Sequence, residues 1–86
     1  MTVLENKPAA YALRSQAGNW IYKGSTRDLA GRIKAHFSGK VSRTKNRHPL
    51  ELVYYEYCEN YTCARQRENW LKSGQGREFL KKYLTI

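Results

Sequence analysis

Ala9 to Arg14 is a short apolar run with β-forming residues. Ser15-Gln16-Ala17-Gly18-Asn19 then supplies turn chemistry, and Trp20 to Gly24 reads as the returning strand of a hairpin. After Gly24 the period changes. Leu29, Ile33 and Phe37 recur every four residues and predict the buried stripe of a helix. Ser25 or Thr26 is placed to cap it, Asp28 falls in its positive first turn, and Gly39 is placed to end it. Lys40 to His48 has neither a helical nor a strand period and closes at Pro49, which predicts an exposed loop. Leu50 to Tyr57 is the strongest strand pattern in the chain. Tyr61 to Ser73 follows as a helix ending at Gly74, and Arg77 to Leu84 as a short last helix packing Phe79, Leu80, Tyr83 and Leu84. The order β-β-α-β-α-α predicts an α+β fold, a three-stranded central sheet flanked by helices.

With 86 residues, a single domain over 1–86 is expected, with a small core and no room for a separate cofactor domain. Sixteen Lys/Arg against seven Asp/Glu give a net charge of +9. The excess is local: from Lys23 to Arg47 there are eight basic residues and one acid, Asp28. Such a patch is the electrostatic footprint of a polyanion binder. No long amphipathic helix with a bulky apolar face accompanies it, so a membrane partner ranks low. Cys58 and Cys63 have no further cysteines to build a zinc site. Two cysteines and no recognisable signal peptide read as reduced thiols in a cytoplasmic protein.

Three features break the plain pattern. The apolar stripe of the Tyr61 helix runs through Tyr61, Ala64 and Leu71, and its missing member, position 68, is Glu. A carboxylate on that stripe needs a partner or a metal ion, and Lys72 at i+4 and Arg65 at i−3 are the ordinary candidates. Arg32 and His36 share one helical face beside the predicted stripe, at the rim of the core. An arginine fork suits a phosphate, and an imidazole handles protons near neutral pH. Tyr11 and Tyr22 sit on the two hairpin strands, spaced to be neighbours on one sheet face. Each feature alone suits a bland reading: a paired surface acid, a solvated helix face, a core tyrosine pair. Together they are the parts for phosphodiester cleavage.

The chain resembles the GIY-YIG nuclease domain, in particular its small stand-alone bacterial branch. The resemblance lies in Ala9-Ala10-Tyr11, in Tyr22-Lys23-Gly24 followed by Ser25-Thr26, and in Asp28-Leu29-x-x-Arg32-x-x-x-His36. It continues through Gly39-Lys40, Pro49 to Glu56, and Arg67-Glu68 with Leu71-Lys72-Ser73-Gly74. Lys23 stands where the family usually has isoleucine or valine. The resemblance implies a metal-dependent DNA endonuclease acting in repair or recombination. The alternatives left open are a catalytically silent nucleic-acid-binding domain on the same fold and a protein-interaction module.

The resemblance also implies roles. Glu68 looks like the metal ligand for Mg²⁺ or Mn²⁺. Tyr11 looks like the residue that positions or deprotonates the attacking water, with Tyr22 in support. A free phenol titrates near about 10, so a base role needs a lowered pKa or a relay, and the cationic surroundings are expected to push it down. Arg32 would hold the scissile phosphate, His36 would share proton handling, and Gly24 would permit close backbone approach. Lys40, Arg43, Lys45 and Arg47 of the basic loop are expected to grip DNA phosphates, with weak sequence preference and a taste for branched or nicked DNA.

Overall fold

In the computed structural model, which describes residues 3–84, the chain forms β1 (Ala9–Ser15), β2 (Trp20–Thr26), α1 (Leu29–Phe37), β3 (Leu50–Tyr57), α2 (Tyr61–Lys72) and α3 (Gly74–Leu84). The three strands make one antiparallel sheet in the order β2-β1-β3. This is the α+β arrangement expected from the pattern. Among the described residues no helix is long and apolar enough to cross a membrane.

The central strand is buried on both faces, and its alternation divides the core. Ala9, Tyr11 and Leu13 pack with Leu29 and Ile33 of α1. Ala10 and Ala12 face the other way, against Leu71 of α2 and Leu80 of α3. Small residues at those two positions let the helix pair approach the sheet closely.

β3 keeps the division only by breaking its own alternation. Ala12 pairs with Tyr54 but Leu13 pairs with Leu52, so Val53 is an extra residue, a β-bulge. Leu50 and Leu52 before it, and Tyr55 and Tyr57 after it, therefore all reach the α1 face. A strictly alternating strand could not place both pairs on one side.

Helix ends differ from expectation in instructive ways. The cap of α1 is Asp28, whose carboxylate accepts from the Gly31 N–H at 3.1 Å, while Thr26 Oγ1 accepts from the Asp28 N–H at 3.0 Å. Neither Ser25 nor Thr26 caps the helix, because β2 extends through both. Gly39 does end α1: it has φ +76°, and Gly39 N–H and Lys40 N–H donate to His36 O and Ala35 O at 3.1 and 3.0 Å. Ser73, not Gly74, separates the last two helices. It closes α2 through a bond to Trp70 O, and its hydroxyl accepts from Gly76 N–H at 3.2 Å. Gly74 therefore opens α3, which starts three residues before the expected Arg77.

The stripe of α1 also turns. Leu29 and Ile33 are buried as expected, but Phe37 is 49% exposed and His36 is fully buried in its place. Nor is the 40–48 loop wholly exposed. Val41 and Thr44 are buried, and Thr44 N–H and Lys45 N–H both bond to Val41 O, so the segment winds into a turn with one inward side.

Deleting Val53 should throw Leu50 and Leu52 onto the wrong face and abolish cooperative urea unfolding. Val53→Ala keeps the register and should cost about 1 kcal/mol, given about 0.8 kcal/mol per buried methylene at a half-buried position. Similar unfolding curves for the two variants would contradict the bulge's assigned role.

Candidate active site

Tyr11 is the hub. It lies on the central strand with no exposed surface, and its phenol oxygen is 2.8 Å from His36 Nε2. The other ring nitrogen of His36, Nδ1, is 2.7 Å from Thr44 Oγ1, and the Thr44 hydroxyl lies 3.5 Å from Val41 O. One set of directions satisfies every group. Tyr11 O–H donates to Nε2, Nδ1–H donates to Thr44, and Thr44 O–H donates to its own turn. That run ties the central strand, α1 and the basic loop together.

Tyr22 completes a cluster of three rings. Its centroid is 6.2 Å from Tyr11 and 5.4 Å from His36, and Tyr11 and His36 are 5.5 Å apart. The two hairpin tyrosines are thus neighbours on one face, as their positions predicted. Tyr11 sits opposite Gly24 in the β1–β2 register. A Cβ on Gly24 would stand 2.6 Å from the Tyr11 phenol oxygen and 2.9 Å from Tyr22 Cε2. Gly24 is therefore the space the phenol occupies, a more specific reason for the glycine than general backbone approach.

Arg32 reaches back from the exposed side of α1 toward both phenols, whose electronegative oxygens favour its charged form. Its interaction with Tyr11 leads the causes that raise its own pKa. The cationic surroundings were expected to lower the Tyr11 pKa, and Arg32 does pull that way. Burial outweighs it, with the Tyr22 and Glu68 charges adding to burial, and Tyr11 is pushed up to about 12. The phenol is a neutral group at pH 7. His36 is neutral too: burial, then the positive charges of Arg32 and His48, lowers it to about 4.

Glu68 comes from α2 on the other side of the sheet. Ala64 and Leu71, its stripe neighbours, are fully buried, and the Glu68 side chain is 19% exposed. One carboxylate oxygen accepts from the Ser25 hydroxyl, next to Gly24 on edge strand β2. The other takes Lys72 Nζ at 2.5 Å, the i+4 pairing that sequence spacing offered as the ordinary outcome. Burial works to raise its pKa, but the bonds from Lys72 and Ser25 win and hold it below the usual carboxylate range. Its charge opposes ionisation of Tyr11, so the acid acts on the phenol from across the Gly24-Ser25 segment of the edge strand.

The loop cations Lys40, Arg43, Lys45 and Arg47 are exposed. Arg47 lies over the Trp20 ring at 4.6 Å, and its carbonyl accepts from Ser15 Oγ at 2.7 Å, which holds the loop's far end to the hairpin. Two site partners had no clear sequence signal. Thr44 sits in a segment without an evident period, and its only trace is the i+3 spacing from Val41. Ser25 read as a helix cap.

A family model described as the GIY-YIG catalytic domain matches residues 7–83, nearly the whole chain. The chain belongs to the GIY-YIG family. Domains of this nuclease family are in general DNA endonucleases and typically use divalent metal ions. Among relatives, the chain is 43% identical over 53 residues to the UPF0213 protein CPE1444 of Clostridium perfringens, covering 60% of this chain and 57% of that one. It is 36% identical over 63 residues to UPF0213 protein YazA of Bacillus subtilis, covering 72% and 63%. It is 33% identical over 82 residues to a UPF0213 protein of Bacillus cereus, covering 91% and 84%. The chain thus spans somewhat more than half the length of the first of these relatives. No solved structure matches it significantly.

Two outcomes follow from the buried Tyr11–His36 pair. Gly24→Ala should cost about 1–3 kcal/mol in urea unfolding, the usual range for overpacking, because the phenol must leave its hydrogen bond to admit the methyl group. The second outcome concerns pH. His36 titrates near about 4 in the fold, against about 6.5 in an unfolded chain. Its contribution is therefore complete above pH ~6.5 and lost as pH falls toward ~4, up to about 3 kcal/mol in total. The stability advantage of wild type over His36→Asn should shrink across that window, and a flat difference would refute the burial of a neutral imidazole.

Proposed function

We propose that this GIY-YIG domain is a divalent-metal-dependent DNA endonuclease whose site is Tyr11, Tyr22, Arg32, His36 and Glu68. The observation that supports it most is the convergence on the Tyr11 phenol. Four sequence-distant groups act there: His36 by a hydrogen bond, Arg32 and Glu68 by their charges, and Gly24 by leaving room.

Tyr11 works in this reading as a relay, since a standing tyrosinate is too costly at neutral pH. Its oxygen takes a proton from the attacking water as its own proton passes to the free lone pair of His36 Nε2. Thr44 fixes the tautomer that leaves that lone pair free. Arg32, on the same side as both phenols, places its guanidinium against the scissile phosphate and offsets the charge that builds on it. Tyr22 holds the imidazole's flank and shares Arg32.

Glu68 is the residue that would hold the metal. Among the described residues, no group of three or more His, Cys, Asp or Glu side chains is gathered for an ion. One carboxylate with phosphate oxygens and water is a set that Mg²⁺ or Mn²⁺ accepts. Each Glu68 oxygen spends one lone pair on Ser25 or Lys72 and keeps another. When bound, the ion supplies electrostatic stabilisation of the phosphate and leaving oxygens. The exposed cations Lys40, Arg43, Lys45 and Arg47 grip flanking phosphates without reading sequence, so branched or nicked DNA is favoured by shape. Repair or recombination is the setting that fits such a substrate.

The Glu68–Lys72 ion pair favours one second reading, a nucleic-acid-binding domain whose acid is permanently engaged and which does not cut. Glu68→Gln separates the two. The variant should lose at least about a hundredfold in nicking of supercoiled plasmid with Mg²⁺ or Mn²⁺, while binding the same DNA as well as wild type. Unchanged nicking would remove Glu68 from the mechanism, and wild-type protein that binds DNA but never nicks it would favour the second reading.

A further inference from the structure

On the face of the sheet away from Tyr11, α3 stands off from the β1–β2 half and leaves an open hollow of about 610 Å³. Arg14 and Lys23 border it from the strands, Arg77 and Lys81 from α3, and Ile21 and Leu80 give it an apolar floor. None of the described residues lining it is acidic. Arg14 is tied to Glu51 at 2.9 Å at the outer end. Toward the inner end positive charge accumulates: burial lowers the Lys23 pKa, and the nearby Arg77 and Lys72 charges lower it further. Like charges facing one another in this way favour an anion between them.

Lys72 links the hollow to the site. Arg77 Nη1 donates to Lys72 O at 3.1 Å, and Lys72 Nζ holds Glu68 at 2.5 Å. A run of cations therefore leads from the candidate metal ligand past the β2 edge into the hollow. The basic loop hangs from α1 on the opposite face and comes nearest the hollow where Arg47 lies over Trp20, one of its lining residues.

We propose that this hollow is a second nucleic-acid site, which holds one single-stranded arm of the substrate as it leaves the scissile phosphate. It rests on the nuclease reading above. A single strand is the occupant because the hollow is a slot with cations on both walls and aliphatic side chains between them. Unpaired bases and sugars can meet that floor, whereas a duplex presents only phosphates on its outside and has its bases stacked away. Lys23, at the position where hydrophobic residues are usual in the family, then has a role: it supplies the wall cation nearest the cut.

The test compares a nicked duplex with the same duplex carrying a single-stranded dT arm, by fluorescence anisotropy in EDTA, for wild type and for Arg77→Glu/Lys81→Glu. Wild type should bind the armed substrate more tightly. With about three phosphates engaged, that advantage should fall roughly tenfold or more between 50 and 200 mM salt. The double variant should bind both substrates alike. Lys7→Glu/Lys34→Glu makes the same change in net charge outside the hollow and should keep the arm's advantage. Arg77→Gln/Lys81→Gln repeats the measurement with milder changes should the charge reversals unfold the helix. An arm advantage that survives the double variant, or is lost equally in the comparator, overturns the second site while leaving the nuclease reading standing. Wild-type protein that binds neither substrate overturns both.

Discussion

A buried phenol must bond to something, and the bond between Tyr11 and His36 decides how much of this domain is built. Leaving a buried hydroxyl unpaired costs about 1–3 kcal/mol. The chain instead spends a whole helix position on its partner. His36 occupies the last inward place of α1 that the stripe pattern would give to an aromatic, and Phe37 is turned outward. The imidazole then needs its own partner, and Thr44 supplies it from the loop. Gly24 follows from the same bond, since any side chain there would displace the phenol. One hydrogen-bonded run thus fixes the central strand, the edge strand, a helix and a loop in mutual register.

Burial and charge compete at this hub. Arg32 and the general cationic excess favour a tyrosinate, yet the absence of water around the ring disfavours it more. Burial also keeps the imidazole neutral, so the pair rests as phenol and free base. On the proposed reading that combination acts as a relay and not as a preformed base, and burial sets the cost of the imidazolium it forms. The same excess of cations bears on Glu68. A lone carboxylate on an apolar stripe keeps its charge because Lys72 and Ser25 stabilise it, and the remaining lone pairs stay available to a ligand of opposite sign.

Much of this was legible in residue order. The three strands, the α1 stripe through Leu29 and Ile33, the facing tyrosines and the inward Glu68 all follow from period and spacing. What escaped depends on tertiary partners. Nothing local distinguishes His36 from Phe37 as the inward residue, because the choice is made by Tyr11 across the core. The bulge at Val53 is hidden because Leu50 to Tyr57 reads as one continuous β-rich run, and only pairing with β1 reveals the extra residue. Ser73 and Gly74 were misplaced by the reverse error: a glycine after a helix was read as its stop when it opens the next one. Thr44 is a small polar residue among exposed cations, and its burial is set by a helix it follows.

The edge position of β2 links these observations to substrate geometry. In a three-stranded sheet with β1 in the middle, β2 is one of the two edges around which the faces can communicate. Its Tyr22 and Gly24 serve the phenol cluster on one face, while Lys23 and Ser25 serve the helix pair and Glu68 on the other. On the proposed reading, alternation along these four residues divides proton handling from acid placement by the thickness of one strand. If the proposed nuclease reading holds, a phosphate seated at this edge is within the field of both faces, and the strands on either side of it diverge. One leads toward the loop that Thr44 anchors, the other toward the cations of α3. Bent, nicked or branched nucleic acid can follow that divergence at little cost, whereas a straight duplex must first pay to deform.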